Sequence, residues 1–230
     1  MIINAISFKY QTLNFVTKHQ ITRNQRKQNM ARAKLVVSLA ILTLILYVFS
    51  QHKAVDASAA PSIGNSFIRS SCGATTYPNL CISSLSAYAS TIRKSPRQLV
   101  TTALSVSIDR AKSSKQHIQS LIKFHGLKRR EYAALKDCLE EITEGVDRLA
   151  KSVQELKKMG RAGGPEYFWH MSNLQTWVSA ALTDDSTCMD GFADRAMDGR
   201  IKTSVRARMT NVAQVTSNAL ALCNQFSGKF

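Results

Sequence analysis

From Tyr132 to Leu156 the apolar residues recur as Tyr132, Leu135, Leu139, Ile142, Val146, Leu149, Val153 and Leu156. The steps alternate between three and four, which keeps all eight on one side of an α-helix for more than three heptads. A seam that long must be buried against other helices, because a lone helix leaves its stripe in water. A second seam follows nearly the same rule: Ile201, Val205, Met209, Val212, Val215, Ala219, Leu222 and Phe226. Two further runs are looser. One starts near Pro96 and carries Leu104, Ile108, Ala111, Ile118 and Ile122; the other starts at Pro165 and carries Tyr167, Met171, Leu174, Val178 and Ala181. Proline suits a first helical turn, where its missing N–H would have no partner anyway. No stretch sustains the alternation of a half-buried strand, so the expected class is all-α.

Breakers separate the seams at His125-Gly126, at Gly160–Gly164 and at Asp198-Gly199. Connections this short make neighbouring helices antiparallel, predicting an up-down-up-down four-helix bundle. Ahead of it, residues 62–91 read as shorter helices joined at Thr75-Thr76-Tyr77-Pro78, an N-terminal helical hairpin.

Five cysteines allow fifteen ways to form two bridges, and arithmetic alone does not choose among them. A turn containing proline folds the chain back locally and favours Cys72 with Cys81. Cys138 flanks the long seam and Cys188 is expected just beyond the third bundle helix, which favours that pair. Cys223, beside Leu222 on the last helix, reads as a buried free thiol.

The apolar run Leu35–Phe49 follows Met30-Ala-Arg-Ala-Lys34. It fits the core of an export signal and falls short of the roughly 20 residues that span a bilayer. Small residues with cleavage-site spacing follow at Val55, Ala57 and Ala59, and Pro61 disfavours cutting after Ala60. Residues 1–60 are therefore expected to be a signal region, with Met30 a candidate start, and residues 61–230 the mature domain. Export places the thiols in an oxidising compartment. The whole chain carries +16; residues 61–230 keep 23 basic and 14 acidic side chains, or +9. For a secreted protein that charge points to polyanionic glycans, not nucleic acid. The cationic group Lys112, Lys115, Lys123, Lys128, Arg129 and Arg130 is expected to give weak, salt-sensitive retention on pectin.

The segment Trp177-Val-Ser-Ala-Ala-Leu-Thr-Asp-Asp-Ser-Thr-Cys-Met-Asp-Gly-Phe192 is distinctive. Together with Tyr77-Pro-Asn-Leu-Cys81, Ala134-Leu-Lys-Asp-Cys138 and Thr216-Ser-Asn-Ala-Leu-Ala221 it resembles the plant invertase/pectin methylesterase inhibitor family. The likeness runs from about Ser66 to Phe226. It implies a four-helix bundle with an N-terminal hairpin, bridges 72–81 and 138–188, and a fifth cysteine without a fixed partner. It also implies a protein that is not an enzyme and that blocks the active-site cleft of pectin methylesterase or of acid invertase. A chain stopping at Phe230 resembles a free-standing inhibitor. Invertase inhibitors of the family tend to carry a Pro-Lys-Phe segment between the last helices; Ala193–Arg200 has none, and Gly228-Lys-Phe230 lies at the extreme end.

The expectation is therefore a secreted inhibitor of pectin methylesterase in the apoplast and cell wall, forming a 1:1 complex, without a cofactor and free of the membrane once the signal is cut. The alternatives are an invertase inhibitor and a non-inhibitory pectin-binding module. The resemblance assigns partner contacts to Glu140, Glu144 and Asp147, and to Thr187 and Asp190. The three acids share one helical stripe beside the apolar seam. They also suit the first half of a helix that ends in Lys151, Lys157, Lys158 and Arg161, as its dipole favours. No catalytic or metal set is expected. Glu166 and His170 share a face, but the second Glu-x-x-His of a di-iron bundle is missing. His117 and His125 lack ligand partners at suitable spacing. Trp169 and Trp177 are read as core and rim aromatics.

Overall fold

The computed structural model describes residues 36, 38–44, 63–160 and 163–228. Residues 36 and 38–44 are helical and exposed. The candidate start at Met30, the cleavage region at Val55–Ala60, Arg161 and Lys229-Phe230 lie outside the described residues. Among the described residues no helix is long and apolar enough to cross a membrane.

From Ile63 onward the chain is helical. Helix α1 is Ile63–Cys72 and α2 is Pro78–Leu85; a 3₁₀ turn at Ser86–Tyr88 leads to the short α3, Ala89–Ile92. Four long helices follow: α4 Pro96–Ile122, α5 Arg129–Lys158, α6 Pro165–Asp190 and α7 Arg200–Ser227. Each of the four packs on two others in the cycle α4, α5, α6, α7, which is the expected bundle.

Local signals account for the helix starts. Pro96 and Pro165 occupy first turns, and the Ser95 hydroxyl accepts the Gln98 N–H at 3.2 Å. At α5 the Glu131 carboxylate accepts the Lys128 N–H at 2.8 Å. Gly126 and Gly199 adopt φ of 98° and 152°, where a side chain would be strained.

The strict seam of α5 divides in the fold. Leu135, Ile142, Leu149 and Leu156 are buried, Leu139, Val146 and Val153 are half-buried, and Tyr132 is 47% exposed. The reason is that α5 packs against both α4 and α6, which needs a wider buried arc than one coiled-coil seam. The arc is completed by Cys138, Gly145 and Ser152, small residues seven apart. They admit α6 closely: a Cβ on Gly145 would sit 3.8 Å from the Ala181 carbonyl oxygen. Cys188 lies inside α6, not beyond it as the sequence suggested, because that helix continues to Asp190.

Cys72 is bonded to Cys81 and Cys138 to Cys188. Cys223 is wholly buried, and burial pushes its thiol up to about 12, out of reach of a second chain. The N-terminal hairpin is held on α7 by the buried Asn218, whose carbonyl accepts the Tyr77 N–H at 2.9 Å and whose amide donates to the Tyr77 carbonyl at 3.0 Å. Gln225 adds a bond to the Ser71 carbonyl at 3.1 Å.

Inside the hairpin, α1 crosses α3 at Gly64, where a Cβ would lie 2.1 Å from the Ala89 carbonyl oxygen. Backbone cannot yield as a side chain does. Gly64→Ala is expected to push α1 off α3 and cost about 1–3 kcal/mol, as overpacked sites do. Hydrogen exchange should rise in residues 63–92 and stay unchanged in α5 and α6; unchanged protection of the hairpin would refute it.

Candidate partner-binding surface

The 138–188 bridge brings α5 and α6 to a Cα separation of 4.3 Å. It sets the Glu140 turn of α5 beside the Thr187 turn of α6. Glu140, Glu144, Asp147, Thr187 and Asp190 are all exposed. They are not equally free. The Glu144 carboxylate is bonded to Arg148 at 2.5 Å, whereas Glu140 and Asp147 have no ion-pair partner among the described residues. The Thr187 hydroxyl donates to the Thr183 carbonyl at 3.0 Å, which fixes its rotamer. Asp190 ends α6.

Arg148 is a strap that the sequence reading did not single out. It pairs with Glu144 on its own helix, with buried Asp184 on α6, and donates to the Ala180 carbonyl at 3.4 Å. A guanidinium's fixed fork suits such a three-way bond. Asp184 and its neighbour Asp185 are 3% and 2% exposed, an acid pair inside the bundle. Burial pushes Asp184 up to about 6; Arg148 opposes this, while Glu141 and Glu144 add to it. Burial and the Asp184 charge push Asp185 up to about 8, with Thr216 on α7 working against them. A signal was present: Asp184 lies four residues before Cys188, on the same helical face.

Further along the same groove, Glu155 accepts from His170 Nδ1 at 2.7 Å and from the Asn173 amide at 3.3 Å. The His170 bond, then Asn173 and the charges of His170 and Lys158, hold Glu155 below its ordinary value against the effect of burial. His170 therefore pairs across the groove with α5, not with Glu166 one turn away. The Lys151 ammonium stands 4.7 Å from the centroid of the half-buried Trp177. Trp169, read from sequence as a core or rim aromatic, is 68% exposed, because position 169 turns off the buried arc of α6. Among the described residues no group of three or more His, Cys, Asp and Glu is arranged to hold a metal ion.

The face is thus rigid, bridged at one end and hydrogen-bonded at the other, with charged and aromatic side chains along its rim. Fixed polar groups of this kind suit contact with another surface.

Residues 66–222 match the family described as plant invertase/pectin methylesterase inhibitor. The chain belongs to that family. It is similar to the 21 kDa protein of Daucus carota, 52% identical over 182 residues that cover 79% of this chain and 94% of that protein. It is also similar to pectinesterase inhibitor 11 of Arabidopsis thaliana, 50% identical over 195 residues, 82% of this chain and 96% of that one. The crystal structure of a mutant form of a pectin methylesterase inhibitor from Arabidopsis superposes with a TM-score of 0.54. It covers 66% of this chain and 92% of its own, and at 22% identity it speaks to the shared bundle alone. The family is one of inhibitor proteins, and this member is not an enzyme.

Proposed function

We propose that this protein is a secreted inhibitor of pectin methylesterase that lays its α5–α6 face over the enzyme's cleft in a 1:1 complex. The reading rests on one observation above others: a relative named pectinesterase inhibitor 11 is 50% identical along nearly its whole length. The missing Pro-Lys-Phe segment between α6 and α7 favours this target over invertase. Residues 1–60 serve as the export region and residues 61–230 as the inhibitor domain, acting in the cell wall.

Each group on the face has a task under this reading. Glu140 and Asp147, unpaired and exposed, accept charge-assisted bonds from cations at the rim of the cleft. Such contacts set the association rate, while Thr187 and the packed surface beneath it hold the complex. Glu144, tied to Arg148, keeps the groove in shape.

The protein mixed with plant pectin methylesterase isoforms near pH 5.5 should suppress methanol release stoichiometrically, with sucrose hydrolysis by invertase unaffected. No loss of rate with several isoforms would overturn the reading; loss of sucrose hydrolysis alone would move it to invertase. The double variant E140K/D147K should slow association about 10-fold or more at low salt and change dissociation much less. Stopped-flow or surface-plasmon measurements separate the two rates, and an unchanged association rate would remove these acids from the contact.

A further inference from the structure

A pocket of about 360 Å³ lies beneath the α4–α5 connection, at the end of the bundle where α7 begins. Its apolar wall is Leu121, Leu127 and Ile201, side chains half-buried against the core. Phe124 closes one side from the connection itself and is 55% exposed. The volume is within the range of pockets that hold small ligands, roughly 300–1,000 Å³.

The rest of the lining is polar, and its charges are unequal. Lys128 and Arg200 border the pocket, are exposed, and have no carboxylate partner among the described residues. Glu131 also borders it, but is buried and has an oxygen committed to the Lys128 N–H at 2.8 Å. Ser204 completes the wall and is bonded to His117 Nε2 at 2.7 Å. Burial and then the Arg208 charge hold His117 below its ordinary value. Lys123 and Arg129 nearby extend the positive field over the opening.

An apolar part of the lining, an exposed ring and two cations without an ion-pair partner among the described residues select a ligand that is apolar at one end and anionic at the other. We infer that this pocket binds a small amphipathic monocarboxylate, its flat apolar body against Leu121, Leu127 and Ile201 and its carboxylate on Arg200 and Lys128. A planar guanidinium accepts a carboxylate through two parallel bonds, so Arg200 contributes more than Lys128. The site is separate from the proposed inhibitor contact, because none of Glu140, Glu144, Asp147, Thr187 and Asp190 lines it.

The probe is 1-naphthoate, followed by equilibrium dialysis against the protein purified after expression of the full chain, with the uncharged 1-naphthalenemethanol alongside. The expected result is saturable binding of one naphthoate per chain with a Kd below about 1 mM, and an alcohol at least about 10-fold weaker. R200Q should weaken naphthoate about 5-fold or more and F124A about 3-fold, while K112Q, on α4 outside the pocket, leaves it unchanged. Circular dichroism checks that each variant is folded, and the acid-against-alcohol comparison needs no variant at all. Lack of saturable binding, equal binding of acid and alcohol, several naphthoates per chain, or equal losses in R200Q and K112Q would each overturn the inference.

Discussion

Replacing Cys138 and Cys188 together with alanine is expected to lower stability by about 4 kcal/mol and the melting temperature by about 10 °C. The bridge closes a loop of 50 residues, and cutting it returns that much closure entropy to the unfolded chain. The 72–81 bridge closes only nine, so the matching C72A/C81A variant should lose about 2.6 kcal/mol. The two bridges should also differ in function. The hairpin keeps its Asn218, Gln225 and Tyr77 bonds to α7 without Cys72. The Glu140 and Thr187 turns have no comparable second fastening, since the Arg148 strap lies two turns further along α5. Inhibition should therefore fall sharply in C138A/C188A and persist in C72A/C81A. Denaturant unfolding and methanol-release assays on the two variants check both halves. Equal losses of inhibition would show that the bridged turns do not form the contact.

Those fastenings divide into what the sequence made legible and what it hid. Pro96, Pro165 and the glycine breaks announced where helices start and stop, because backbone chemistry acts locally. The bundle followed from apolar spacing for the same reason. What escaped depends on two helices at once. Periodicity counts apolar residues, so it included Tyr132, which is largely in water, and omitted Gly145 and Ser152, which are buried because they are small. His170 was weighed against Glu166 on its own helix, yet its partner Glu155 lies on the neighbouring one. Asp184 and Asp185 were hidden by their own charge: acids are assumed to be solvated unless a cation such as the half-buried Arg148 is known to face them. The acidic stripe of α5 was visible, but its split into tied Glu144 and untied Glu140 and Asp147 needed the position of Arg148.

The buried acids give the chain a pH profile with a stated sign. Asp185 stands at about 8 in the folded protein against an ordinary 3.8. Between those values the folded state holds a proton that the unfolded chain has released, so stability falls as pH rises. Asp184, raised to about 6, acts in the same direction over the lower part of that window. Glu155, held below its ordinary value, acts oppositely: its contribution is complete above the usual glutamate range and is lost on further acidification. Above the glutamate range the two buried aspartates act without opposition from Glu155, so across pH 5–8 stability falls as pH rises. From pH 5.5 to pH 9 the protein should lose about 2–3 kcal/mol, less than the full linkage of the shift because an ionised Asp185 recruits Thr216 and water. Asp185→Asn preserves the shape and removes the titration. It should stay within about 1 kcal/mol of the parent at pH 5.5 and melt higher than the parent at pH 9. Melting curves across that range decide the matter. A parent curve that is flat, or an asparagine variant that falls as steeply as the parent, would place the alkaline loss on another group.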